Sequence, residues 1–192
     1  MAGAVLLRRT SFPNGVRIDD SKRLTPRARL LAFREILANA EVGVGIISPA
    51  EIDARNIFHA SFEAMRQAVL HLPRAPWYLL IDGPWELDGL DVPMHPVVHG
   101  DARSLSIACA SIVAKVVRDH LMTWYDGRHP AYGFARHKGY PTAAHLAALA
   151  AHGPSPIHRY TFSPVAHVSL ATGPAAGDPQ RRHRPGRSRE DA

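Results

Sequence analysis

The sequence predicts an α/β fold, a sheet covered on both faces by helices. Three observations carry that reading. Short extended runs alternate with helical patterns from Ala4 to Gly153. Two of the extended runs, from Pro76 to Asp82 and from Pro96 to Asp101, close on a carboxylate. A long helical pattern over residues 104–119 follows, rich in alanine and serine, as suits a helix lying close on a sheet.

Ala4 to Arg8 reads as a short strand. Ser11 to Thr25 is a loop with turn residues at Pro13-Asn14-Gly15. Thr25 caps a helix with Pro26 at its first position, and Leu30, Leu31, Phe33, Ile36 and Leu37 supply its apolar side. Glu41 to Ile47 alternates apolar residues with glycine, as a strand can. Ser48-Pro49-Ala50-Glu51 is a capping box. The helix it opens is expected to run to about His71, with Ile57, Ala60, Ala64, Ala68 and Leu72 inward, and Pro73 stops it. Trp77 to Ile81 is apolar without a break and reads as a buried strand. Asp88 to Val92 is a loop and Val97-Val98 a short strand. Leu105, Ala108, Ile112, Val116 and Val117 share one face of the next helix, with Ser111, Lys115 and Arg118 on another. Thr142 caps a last helix that ends near Gly153, and disorder is expected beyond Leu170.

With 192 residues the expectation is one domain with a proper core. The single cysteine, Cys109, allows no intrachain disulfide and suits a reducing cytoplasm; it reads as a core residue. No run approaches the roughly 20 apolar residues of a membrane span, and Met1 to Arg9 lacks the order of a signal peptide. A net charge of +6 and a pI of about 10.0 favour an anionic partner, nucleic acid above all. Arg181, Arg182, Arg184, Arg187 and Arg189 supply part of this in a basic tail, residues 171–192, expected to be disordered.

Asp82, at a strand end, would face the crevice where ligands of open α/β sheets bind; Asp82-Gly83 also reads as a plain turn pair. Asp101 precedes a helix and alone reads as a partner of its N-terminal dipole. Together the two acids suit Mg²⁺ or a similar hard ion. Two such ions about 4 Å apart can activate a water and stabilise the leaving oxygen of a phosphodiester. Ser21-Lys22 could clamp a phosphate. Tyr140, between Gly139 and Pro141, is placed to stack on a sugar or base, or is simply a turn residue. Arg136, Lys138 and Arg159 are phosphate candidates. His137, His145 and His152 read as surface or helix residues.

These stretches resemble bacterial ribonuclease HII. The resemblance rests on Asp20-Ser21-Lys22-Arg23-Leu24-Thr25, Leu80-Ile81-Asp82-Gly83, Gly100-Asp101-Ala102-Arg103-Ser104-Leu105-Ser106-Ile107-Ala108, Ser111-Ile112-Val113-Ala114-Lys115-Val116-Val117-Arg118-Asp119, Tyr132-Gly133-Phe134, His137-Lys138-Gly139-Tyr140-Pro141-Thr142 and Gly153-Pro154-Ser155-Pro156-Ile157-His158-Arg159. It implies a catalytic domain over residues 1–166 with an RNase H-like fold, a five-stranded mixed sheet flanked by helices. The implied activity is cleavage of the RNA strand of RNA–DNA hybrids and nicking 5′ of ribonucleotides embedded in duplex DNA, the first step of ribonucleotide excision repair. The implied cofactor is Mn²⁺ or Mg²⁺, and the implied protein is a cytoplasmic monomer.

Asp82 and Asp101 match the third and fourth acids of the family's Asp-Glu-Asp-Asp metal site. Tyr140 matches the tyrosine that stacks at the junction; Ser21, Lys22, Arg103, Ser104, Lys138 and Arg159 match its substrate-contacting segments. The family's first strand, with its Asp-Glu pair and Gly-Arg-Gly turn, has no counterpart: Met1-Ala2-Gly3-Ala4-Val5 aligns just after it. The expectation is therefore a sheet lacking its first, central strand, and weak or no cleavage by these 192 residues. Either the protein begins further upstream and is active, or the chain is a truncated remnant that binds nucleic acid without cutting it. An α/β enzyme for a small phosphorylated substrate would explain the two acids but not the basic, aromatic segment.

Overall fold

The computed structural model describes residues 1–12 and 15–172, so most of the basic tail, and Pro13 and Asn14 of the loop, lie outside the described residues. Strand β1 (Ala2–Leu7) pairs antiparallel with β2 (Ala40–Gly45), setting Ala2 opposite Gly45 and Leu7 opposite Ala40. Side chains on a strand alternate between faces. Ala2 and Ala4 therefore meet α3 (Ile57–Leu70) through its Ala60, Ala64 and Ala68. Val5, Leu7, Val42 and Val44 point the other way, onto Ile36 of α1 (Pro26–Asn39) and Ile112 and Val113 of α5 (Leu105–Arg128). This pair is covered on both faces, as expected.

The layers touch backbone to backbone. A Cβ added at Gly45 would lie 1.9 Å from the Ala64 carbonyl oxygen, one at Gly43 2.0 Å from that of Ala68, and one at Gly3 2.6 Å from that of Ala110. Cys109 is fully buried beside this contact, and burial pushes its thiol up to about 12.

Strand β3 (Leu79–Asp82) pairs parallel with β4 (Met94–Val97), Asp82 opposite Val97. Among the described residues β1 bonds only to β2 and β3 only to β4, so there are two two-stranded sheets where the resemblance implies one of five strands. A cleft of about 500 Å³ separates them. Residues 1–7 line one side and residues 78–82 the other, with Met65 and Val69 of α3 and Ile107 and Ala110 of α5 as walls.

Several local expectations are corrected. The run from Trp77 is not a buried strand throughout: Leu79 and Ile81 pack on Val69 and Leu87, but Leu80 faces the cleft and Trp77 is 93% exposed. An unbroken apolar run does not say whether both faces are covered. The helix opened by Ser48 breaks into α2 (Pro49–Arg55) and α3 at Asn56, whose φ is 69° and whose side chain accepts from the Phe58 and His59 amides. With ψ at 164° that backbone lies outside the left-handed helical well, and the side chain caps the new helix. Ile57 is exposed, and on α1 Ala32 and Ile36 are buried while Leu30, Leu31 and Leu37 stay largely exposed.

Asp101 precedes the long helix as expected, but it also lies in the first turn of a short one, α4 (Gly100–Arg103), and α5 runs to Arg128 rather than Asp119. After a 3-10 turn (Pro130–Tyr132) come α6 (Phe134–His137) and α7 (Ala143–His152), capped by Thr142. Helix α7 is not the last: α8 (Ser163–Thr172) follows. Its Val165 packs with Tyr132, Phe134 and Leu149 in a separate apolar cluster.

Gly45→Ala must push a helix off the sheet, and overpacking of this kind costs about 1–3 kcal/mol. Its urea midpoint should fall well below that of the unaltered chain; an unchanged midpoint would contradict the backbone contact.

Candidate active site

Asp82 ends β3, and its Oδ1 accepts the Gly100 amide at 2.9 Å. Gly100 is buried, and a Cβ there would sit 2.5 Å from Ile107 Cδ1 and 3.2 Å from Asp82 Oδ1. A larger residue there would make the Ile107 side chain give way and crowd the Asp82 carboxylate. His99 enters that turn with φ 56°. The structure thus joins the two sequence segments that close on Asp82 and Asp101.

Their surroundings differ. Asp82 lines the cleft, whereas Asp101 lines a neighbouring hollow of about 220 Å³ with Asp19, Arg103 and Ser104. Arg103 donates to the Val98 carbonyl at 3.2 Å, and the Ser104 and Ser106 hydroxyls are 3.0 Å apart. Asp19 escaped the sequence reading; its hydrogen bond from Arg17 holds its carboxyl below the usual range.

Helix α5 gathers most of the other candidates. Ser21 is buried, its hydroxyl 2.9 Å from that of Ser111, so it is committed inward, while Lys22 beside it is exposed. Arg29 donates to the Ser21 carbonyl at 2.7 Å and stands 3.6 Å from Asp119, which accepts from Lys115 at 2.8 Å. Lys115 and Arg118 each lie 5.4 Å from the centre of the Tyr140 ring, which is 55% exposed. Arg118 also donates to the Lys138 carbonyl at 2.8 Å, and the Lys138 ammonium donates to Thr123 at 2.7 Å. Arg136 is exposed. Arg159 is engaged elsewhere, its guanidinium 4.9 Å from the centre of the Phe162 ring. The turn after it is tied to α2, where Asp53 accepts from the Tyr160 and Thr161 amides at 2.7 and 3.0 Å.

His137 and His145 are not surface residues. Both are buried, as is His158, and the rings of His137 and His145 stack 4.2 Å apart against Phe134. Nothing in the local pattern distinguishes them from solvent-facing histidines, because several short elements between Met122 and Val168 pack together to cover them and no single helix face records it.

A divalent ion pair needs more than these acids offer. Among the described residues no group of three or more His, Cys, Asp or Glu side chains is placed to hold a metal ion, so Asp82 and Asp101 alone do not fit it.

The architecture is that of type 2 ribonucleases H. It is similar to ribonuclease H2 of Pyrococcus horikoshii (TM-score 0.69, 20% identity, 89% of this chain and 98% of that one). It is also similar to the ribonuclease HII solved in complex with PCNA from Archaeoglobus fulgidus (TM-score 0.67, 19% identity, 85% and 86%). Curated bacterial relatives are much nearer in sequence. Ribonuclease HII of Maricaulis maris is 50% identical over 165 residues, 86% of this chain and 75% of that protein. That of Rhizorhabdus wittichii is 50% identical over 170 residues, 88% and 83%. The model of the ribonuclease HII family matches residues 2–165, and the chain belongs to that family.

Burial holds the His158 imidazole down to about 4, with His145 nearby adding to the effect, and burial also lowers His145. Unfolded, each would titrate near 6.5. The unfolded chain therefore binds protons that the folded one refuses, and stability present above about pH 6.5 is lost as pH falls toward 4. The Glu63 carboxyl, held at about 2 chiefly by its hydrogen bond from Arg66, contributes its own loss only at lower pH. The urea midpoint should be lower at pH 5 than at pH 7.5; equal midpoints would show that the cluster opens to solvent.

Proposed function

We propose that this protein is an endonuclease that cleaves the RNA strand of RNA–DNA hybrids and nicks 5′ of ribonucleotides embedded in duplex DNA, leaving a 3′-hydroxyl and a 5′-phosphate. The observation that carries the proposal is the clasp between Asp82 and Gly100, which joins the two segments on which the family-matching acids stand. Family membership supports the substrate class, and the exposed Tyr140 ring beside Lys115 and Arg118 suits a base with its phosphates. Lys22, Arg103, Ser104, Lys138 and Arg159 would contribute phosphate or sugar contacts, and Ser21 would act by fixing the loop that carries Lys22.

Asp82 and Asp101 form half of a site for Mn²⁺ or Mg²⁺, in this reading. The remaining acids would arrive on an extended segment seated in the cleft between β1 and β3. A strand there could pair with both free edges and end near Asp82, which lines the same cleft. The in-frame DNA upstream of Met1 should then encode an Asp-Glu pair followed by Gly-Arg-Gly; stop codons in its place would sink this part.

The 192-residue chain by itself is expected to bind such duplexes and nick them slowly or not at all; brisk nicking in Mn²⁺ would remove the need for a further strand. In an upstream-extended chain, Asp82→Asn should abolish nicking and leave folding intact, because the amide oxygen can still accept from Gly100. Retained turnover would show that the carboxylate is dispensable. Stacking on one base is worth about 1–3 kcal/mol. Tyr140→Ala should therefore reduce the binding preference for a duplex with one ribonucleotide over all-DNA duplex by roughly tenfold or more, with hybrid binding in general less affected.

A further inference from the structure

The three buried histidines have one consistent protonation pattern. The Ser155 amide donates to His158 Nδ1 at 3.0 Å, so that nitrogen is unprotonated and His158 Nε2 carries the hydrogen. His158 Nε2 lies 3.0 Å from His145 Nε2, which must then accept. His145 Nδ1 is left to donate, and its partner is the Tyr140 carbonyl at 3.0 Å. The Gly139 amide likewise donates to His137 Nδ1 at 3.1 Å, so His137 Nε2 donates to the Tyr132 carbonyl at 2.7 Å. All three rings are neutral, and every ring nitrogen has a partner.

These bonds converge on the backbone of one exposed residue. Tyr140 donates its amide to the His137 carbonyl at 2.9 Å, and its own carbonyl accepts from Thr142 at 2.8 Å as well as from His145. Lys138 and Gly139, with φ of 52° and 81°, turn the chain just before it. A side chain at Gly139 would come within 3.3 Å of Met122. The ring of Tyr140 meanwhile stands free beside Lys115 and Arg118. A backbone held this firmly beneath an exposed ring fixes the direction in which the ring faces.

We infer that Ser155, His158 and His145 form a one-directional hydrogen-bond relay that positions Tyr140 to stack on the ribonucleotide junction. His145 is then a positioning residue for specificity. This rests on the role given to Tyr140 above. The direction of the relay matters: with His145 in the opposite tautomer, two N–H groups would face each other at 3.0 Å and the Tyr140 carbonyl would lose a donor.

Nitrogen-15 NMR of the histidine side chains in the 192-residue chain reads the relay without any activity. His145 should be the Nδ1–H tautomer, with His158 and His137 the Nε2–H tautomers; His145 as Nε2–H overturns the relay. Binding then tests the purpose, as the preference for duplex DNA with one ribonucleotide over all-DNA duplex. His145→Phe keeps a ring but removes the donor. It should lose as much preference as Tyr140→Ala, and the double variant should lose no more than either. Additive losses, or full preference in His145→Phe, overturn the positioning role. Should His145→Phe fail to fold, His145→Asn decides, since its amide can donate from the place of Nδ1: retained preference supports the relay and lost preference overturns it. If Tyr140→Ala itself leaves the preference unchanged, the stacking role falls and the positioning role with it. If Tyr140→Ala costs preference and His145→Phe does not, the relay alone falls.

Discussion

The close approach of strand glycines to helix alanines is the constraint on which the molecule rests. Gly3 sets β1 directly against α5 at Ala110, and Gly43 and Gly45 set β2 against α3 at Ala68 and Ala64. At that separation the helices have no freedom to slide or rotate without collision. The consequence reaches the site, because α5 is also the element that Ser21, Tyr140 and Lys138 lean on. A packing contact made by the smallest residues thus locates the most polar ones.

The core and the caps were largely legible from the chain. Thr25, Ser48 with Glu51, and Thr142 each cap the helix that their spacing announced, since an N-cap depends on a few neighbouring residues only. Asp82 was identifiable for a similar reason, standing where an apolar run stops. Asn56 was harder: a residue able to take positive φ is also tolerated inside a helix, and only the resulting break distinguishes the two. Least legible were His137, His145 and His158. Their burial depends on a cluster built from residues between Met122 and Val168, and no local pattern records it. Leu80 shows the same limit from the other side, being apolar in sequence and open to the cleft in space.

The acids divide along the same line. Asp82 and Asp101 come from neighbouring segments, joined by one amide-to-carboxylate bond, yet they open into different hollows. Such a pair is held in place without being closed into a ligand cage. The strand end is nonetheless held a second time, by the Gly83 amide donating to the Val97 carbonyl across the sheet at 3.0 Å.

The cleft has a bearing on how the protein behaves in company. Strand edges with unpaired amides and carbonyls are adhesive, and in most proteins they are blunted by charge or by distortion. Here β1 and β3 keep such edges, but α3 and α5 wall the space between them. Walled in this way, the edges of β1 and β3 face each other across the cleft instead of lying on an open sheet rim.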